Sequence, residues 1–339
     1  MSFEKYKNKG ISGLSNLGNT CFVNSCIQIL YHTYELTEFC EKLKNNQENT
    51  SDDYLLLKEW LGLKEVLWSK KCVVSPNRFI HVLHNVSLKK NISIFSDFSQ
   101  NDSSEFLLFL INTFHEGLPK INSYKRTIKY KGIDEICQCH LETIMKDGEY
   151  SKIVELFYGV KVSSLVHEER GIISSKPELF FVFHLPIPET NEPTIEECFD
   201  LYMCDEKLEG ENGIINETTK EKENVIKKTG IWEFPTILIV DFQRFKLYNF
   251  IARKKQNFVS FTEFLDLSKY LVGKNNGVKY NYELYGISNH SGSVNGGHYT
   301  SYIKNMNNKW YSYNDTIVKE INTNEIFSSK AYCLFYRKI

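Results

Sequence analysis

Apolar residues recur at helical spacing from Cys21 to about Leu43, at Phe22, Cys26, Ile29, Leu30, Leu36 and Phe39. That rhythm marks one buried face of a helix. "DDYLLLKEWLGLKEVLWSK" and "DSSEFLLFLINTFHEGL" carry the same signal. In the second, Asp102 or Ser103 is placed to cap a helix whose first turn holds Glu105, since a short side-chain oxygen there accepts from the free N–H groups. Roughly the first 120 residues therefore predict a mostly helical region. The pattern then changes. "ELFFVFHLPI", "FPTILIVDFQRFKL", "YNYELYGISNHSG", "HYTSYIKNMNNKWYSYND" and "AYCLFYRK" are β-branched and aromatic runs broken by Gly, Asn and Pro, which is strand composition. "NMNN" between two such runs predicts a hairpin turn. "EKLEGENGIINETTKEKENVIKKTG" is polar and charged, and predicts a solvent-exposed extension or a mobile loop. No internal repeat and no separating linker is visible. The predicted class is α+β, helices first and then an antiparallel sheet with a polar projection.

Composition narrows the picture. The 339 residues are 42% hydrophobic and 24% charged, with a net charge of -1. No global field favours nucleic acid or an anionic membrane. The start, "MSFEKYKNKG", is too polar for a signal peptide, and no apolar run approaches a membrane span. The 9 cysteines are odd in number and scattered. They read as reduced thiols in a cytosolic or nuclear setting, most of them small core residues. A monomer is expected.

One cysteine stands apart. In "GLSNLGNTCFVNSCIQILYH", Cys21 sits where a Gly/Asn/Ser-rich turn becomes an apolar helix. A helix N-terminus carries free N–H groups and partial positive charge, which favours a thiolate and predicts a lowered pKa. Gly13 and Gly18 permit close approach of backbone to a substrate. Asn16 offers an amide that can stabilise an oxyanion. A nucleophilic Cys needs a His base, and the His needs an orienting carboxylate or amide. His298, behind Gly296 and Gly297 in "SGSVNGGHYTSYI", supplies the first. Across the predicted hairpin, Asn314 or Asp315 in "WYSYND" supplies the second.

At these residues the chain resembles the ubiquitin-specific proteases, papain-like deubiquitinases. "GLSNLGNTCFVNSCIQIL" looks like the family's cysteine box, and "SQNDSSEFLLFLI" its Gln-Gln-Asp block, with Asn101 in place of the second Gln. "EYSKIVELFYGVKVSS", "FPTILIVDFQRFK" and "VSFTEFLDLSKYL" follow in the family's order, and "YELYGISNHSGSVNGGHYTSYIKN…KWYSYNDTIVKEI…AYCLFYRK" resembles the histidine box. The resemblance runs from about residue 11 to 338. It implies thumb, palm and fingers: a helical thumb over about 11–120, palm and fingers over about 121–339, fingers within about 155–235, and a short extension at 1–10. It implies Cys21 as nucleophile, His298 as general base, Asn314 in the third triad place, Asp315 as a neighbour that can share it, and Asn16 at the oxyanion hole. Gln100, Asp102 and Glu105 match the block lining the cleft, where acidic groups meet the arginines of the ubiquitin tail. For Asp102, helix capping is a second reading compatible with the first. Gly296 and Gly297 would leave room for the two glycines that end the tail. Ubiquitin and its conjugates are the implied partners, with no cofactor.

The sequence departs from the family in the fingers. Where two Cys-x-x-Cys pairs hold zinc in many members, it reads "HEER", His167–Arg170, and "CDEK", Cys204–Lys207. Two candidate ligands fall short of the four a structural zinc needs, so no metal is expected. "CQCH", Cys137–His140, has poor metal spacing. Two alternatives to an active deubiquitinase are a catalytically dead ubiquitin-binding module and an isopeptidase for a ubiquitin-like modifier.

Overall fold

The structure is a computed structural model that describes residues 3–43, 49–121, 131–248, 251–275, 277–293 and 296–339. Val294 and Asn295 of the histidine box and Met1 and Ser2 of the N-terminal extension lie outside the described residues.

The helical first part is present. Helices span Cys21–Tyr31, Tyr34–Leu43, Asp52–Ser69, Asn77–Lys89 and Ser103–Gly117. Local chemistry sets several starts. Ser51 Oγ accepts from Tyr54 N at 3.2 Å, and Asp102 caps the helix that follows it. The helix Cys21–Tyr31 is buried at every position, polar Asn24, Ser25 and Gln28 included. It runs between the other helices and the sheet, so the apolar-face rhythm understated its burial. The extension packs down as well, with Tyr6 stacked on Tyr34 at 5.1 Å. Helix continues past the expected end, over Ile133–Lys146 and Lys152–Phe157. The first of these buries Cys137 and Leu141 against Val160, Val162 and Trp232. Cys137 is thus a core residue while Cys139, two positions on, faces solvent. A helix turns such a pair to different faces.

The main sheet is antiparallel apart from one edge. Its order is 317–321, 310–314, 296–304, 281–293, 331–338, 237–242, 182–185, with 264–266 beside 281–293. The last two strands pair in parallel, Asp241 opposite His184. Strand Ile237–Phe242 is buried on both faces. Ile237 and Ile239 join the core under the helices, and Leu238 and Val240 join a second core on the far side with Phe183, Phe199 and Tyr282. This two-sided burial follows from the two-residue period of a strand. The "NMNN" turn joins 296–304 to 310–314, as its composition predicts.

The polar stretch is neither featureless nor without strands. It forms part of a separate sheet in the order 171–180, 159–167, 225–233, 206–208. Its charges pair, Lys227 with Glu206 across two strands at 3.1 Å, Lys228 with Asp205 at 3.0 Å, and Glu223 with Arg170 of the neighbouring turn. A strand with two polar faces reads as loop in sequence, because nothing in it alternates in hydropathy.

Candidate active site

The loop before Cys21 is wound around one atom. Asn16 Oδ1 accepts from Gly18 N at 3.1 Å and Thr20 N at 3.0 Å. Gly18 takes φ +104° and Asn19 φ +54°, a left-handed corner that Gly and Asn tolerate best. The turn delivers Cys21 as the first residue of its helix. Two amides tie this loop to the far wall. Gln100 Nε2 donates to Asn19 Oδ1 at 3.3 Å, and Gln100 Oε1 accepts from Gly297 N at 3.0 Å.

His298 stands on the strand Gly296–Lys304 and Asn314 on its hairpin partner. His298 Nε2 and Asn314 Oδ1 are 2.7 Å apart. An amide oxygen only accepts, so Nε2 carries the proton and Nδ1 is left with a free lone pair. Asp315 follows at φ +48° and acts as a hub. Its Oδ2 accepts from Asn16 Nδ2 at 3.0 Å and lies 3.8 Å from His298 Nε2, while its Oδ1 accepts from Asn24 Nδ2 at 2.8 Å. Asn24 was missed in the sequence. It is one helical turn beyond Cys21 on the same helix, and the only signal was a buried amide in an apolar run.

The Cys21 thiol departs from expectation. Burial pushes its pKa up, opposed by the backbone N–H of Tyr299, raised further by the charge of Asp315, and opposed again by N–H groups of its own helix start. The helix terminus acts in the expected direction, but at 4% exposure desolvation outweighs it. Among the described residues no hydrogen bond joins the thiol to His298.

A cleft of about 860 Å³ leads to Gly296 and Gly297 between the helix Ser103–Gly117 and the sheet. Asp102, Glu105, Gln100 and Asn101 line it. The capping reading holds for Asp102. Its Oδ1 accepts from Ser104 N at 2.7 Å and Glu105 N at 3.1 Å, and its Oδ2 from the hydroxyls of Tyr332 and Tyr299. Its carboxylate is therefore engaged on both oxygens, and Glu105 is the exposed acid of the pair. Sequence reasoning also missed His290, whose Nδ1 accepts from Lys254 Nζ at 2.8 Å. Burial takes His290 down to about 4 and Lys254 down to about 8. His290 explains Gly297. A Cβ there would lie 2.3 Å from His290 Nε2 and 2.5 Å from Ser291 O. Gly297→Ala is expected to lower stability by about 2 kcal/mol, as overpacking does, and to displace Gln100 from the cleft wall. Urea unfolding checks it, and an unchanged midpoint would refute the account.

His167 Nδ1 accepts from Glu169 N at 3.2 Å, and Cys204 is exposed. Among the described residues, the His/Cys/Asp/Glu group with ligand atoms within 4.8 Å of one another is His115, Glu116 and Glu149. There Lys120 Nζ sits 2.7 Å from His115 Nε2 and supplies the cation itself.

A cysteine heading a buried central helix, packed on the sheet strand that carries a histidine with an amide behind it, is the arrangement of the papain-like cysteine proteases. The chain belongs to the ubiquitin carboxyl-terminal hydrolase family, whose model matches residues 12–336. Ubiquitin carboxyl-terminal hydrolase Usp2 of Drosophila melanogaster is 31% identical over 345 residues, covering 98% of this chain and 35% of that protein. Human ubiquitin carboxyl-terminal hydrolase 2 is 31% identical over 346 residues, covering 97% of this chain and 55% of that protein. The chain thus spans about half, or less, of the length of these relatives. Among solved structures, a chain of the SAGA DUB module Ubp8/Sgf11/Sus1/Sgf73 bound to ubiquitin aldehyde matches with TM-score 0.76 and 26% identity, covering 98% of this chain and 70% of that one. The same module bound to monoubiquitin matches with TM-score 0.77 and 25% identity, covering 100% and 71%.

Proposed function

We propose that the chain is a deubiquitinating thiol protease that hydrolyses the isopeptide or peptide bond after the C-terminal glycine of ubiquitin. The observation that carries this reading is His298 Nε2 donating to Asn314 Oδ1 at 2.7 Å, which leaves Nδ1 as a base toward the helix headed by Cys21. His298 takes the Cys21 proton as Sγ adds to the glycine carbonyl, and gives it to the leaving lysine amine. A water then loses a proton to His298 and attacks the thioester, freeing the ubiquitin carboxylate and restoring the thiol. Asn16 faces the oxyanion with the second hydrogen of its amide, the first being held by Asp315.

In this reading the ubiquitin tail lies in the cleft, its two glycines beside Gly296, Gly297 and Gln100, and its arginines toward Glu105. Asp102 acts by holding that wall. The thumb covers about 11–120, and the palm and fingers about 121–339, with the fingers within about 155–235. Free cysteines at all nine positions accord with a cytosolic or nuclear setting. Among the described residues no helix is long and apolar enough to cross a membrane. The test is reaction with ubiquitin carrying a C-terminal electrophile. A covalent adduct one ubiquitin heavier is expected, and none with Cys21→Ser. Failure to form it, while the reagent labels a known deubiquitinase, would refute the proposal.

A further inference from the structure

The oxyanion donor of the proposed reaction and its nucleophile stand on different pieces of the chain. Asn16 is in an exposed turn, and Cys21 heads a buried helix. Asn24 connects the two through space. It lies one turn after Cys21 on the same helix and is 3% exposed. Its Nδ2 donates to Asp315 Oδ1 at 2.8 Å and, more weakly, to Ser15 O at 3.4 Å. Asp315 Oδ2 in turn accepts from Asn16 Nδ2 at 3.0 Å. Asn24 Oδ1 is buried and has no hydrogen-bond partner among the described residues. An amide satisfied at one end only is a poor way to fill a core position. What it does supply is orientation.

The backbone of Asp315 is held, since its C=O accepts from Leu14 N at 2.9 Å. That bond leaves the carboxyl group free to turn, because the torsion that carries it is broad. With Oδ1 held from the helix by Asn24, the carboxyl plane is set and Oδ2 has one place, 3.8 Å from His298 Nε2 and within reach of Asn16. Asn16 is gripped at its other end by Gly18 N and Thr20 N. Its amide plane is then defined at both ends, and its second N–H has one direction.

We infer that Asn24 is a positioning residue, which registers the oxyanion donor Asn16 to the helix of the nucleophile through Asp315. It touches no substrate, and the inference rests on the proposed function. Cys21 and Asn24 belong to one rigid helix, so the donor keeps its place relative to the sulfur. A turn tied only to its own backbone would leave that distance to the motion of the loop, and an oxyanion donor acts only when it is fixed where the charge develops.

The experiment measures kcat and KM on fluorogenic ubiquitin, beside the plateau rate of iodoacetamide alkylation of Cys21 at high pH. Asn24→Ala is expected to lower kcat roughly tenfold to hundredfold, part of the worth of an oriented donor. KM and the alkylation rate should hold, because Asn24 meets no substrate and alkylation develops no oxyanion. In an Asn16→Ala background the same change should cost less than about threefold, since the group it positions is gone. Asn24→Asp is a second probe of nearly the same shape. It sets an oxygen beside Asp315 Oδ1, and two carboxylates that close cannot both ionise. At about pH 6 they share a proton and Asp315 stays in place, while toward about pH 8 the proton leaves and the pair parts. His298 on the sheet and Cys21 on the helix also titrate around Asp315, but both are common to the two proteins. The kcat of Asn24→Asp relative to that of the unaltered protein should therefore fall roughly tenfold over this range, where a merely structural role leaves the ratio constant. A constant ratio, or an equal cost of Asn24→Ala with and without Asn16, overturns the inference and leaves the proposed function standing. If Asn24→Asp does not fold, the alanine cycle decides alone. No hydrolysis of ubiquitin substrate by the unaltered protein overturns the proposed function and this inference together.

Discussion

Asp315→Asn is expected to slow hydrolysis of ubiquitin substrates by roughly a thousandfold, the scale of losing an oriented oxyanion donor, while its Cys21 ionises at lower pH than in the unaltered protein. The two effects have one origin. Asp315 accepts from Asn16 Nδ2 and Asn24 Nδ2, one on each oxygen. An Asn in its place keeps one acceptor and turns an N–H₂ toward the other amide, so two donors oppose each other and one must move. In the proposed mechanism Asn16 then loses the anchor that aims it at the oxyanion. The charge removed is also one of the groups that raise the Cys21 pKa, so its loss makes the thiol easier to ionise. Turnover of a fluorogenic ubiquitin reports the first effect. The pH dependence of iodoacetamide alkylation reports the second. A variant that loses less than about tenfold, or whose thiol ionises at higher pH, would show that Asp315 is not the hub. Asn314→Ala should cost less, since Asp315 remains 3.8 Å from His298 Nε2.

Arg244→Ala should destabilise the fold by about 4 kcal/mol, as removing one partner from a buried charged network does. The guanidinium is 1% exposed. Its Nε donates to Ala331 O at 2.8 Å, and Nη1 to Lys255 O at 3.1 Å and Asn257 O at 3.0 Å. Burial lowers its pKa to about 10, so it stays charged at neutral pH. Those three carbonyls come from two segments, Ala331 on one and Lys255 with Asn257 on the other, and the single side chain staples them together. Truncation leaves all three without a donor as well as a cavity. Lysine should rescue little, because one ammonium cannot span the fork. Urea unfolding measures the change. A loss below about 1.5 kcal/mol would mean that water replaces the guanidinium without strain.

Arg244 also shows how a motif can be visible without its reason. The Gln-Arg-Phe run was legible as a family block, yet nothing local says that its arginine turns inward. The same holds across the site. Cys21, His298 and Asn314 were legible because each sits in a local pattern, a turn before a helix or two arms of one hairpin, and the structure puts His298 beside Asn314. Asn24 and His290 were not legible. Each lies in an ordinary apolar or strand context and acquires its partner from elsewhere in the chain. The strands inside the polar projection were not legible either, because residues 206–224 are mostly exposed and cross-strand ion pairs leave no periodic signature.

The sequence by itself determined the order of helix and strand, the place of the thiol at a helix start, and the histidine–asparagine hairpin, because all three depend on neighbours within a few turns. Only the tertiary structure decided how that thiol ionises, which carboxylate holds the site together, and which is spent on capping. Those outcomes depend on burial and on contacts such as Asp315 to Asn24, 291 positions apart. Desolvation and charge act through space, so the strength of the helix terminus at Cys21 could not be weighed until the sheet had closed over it.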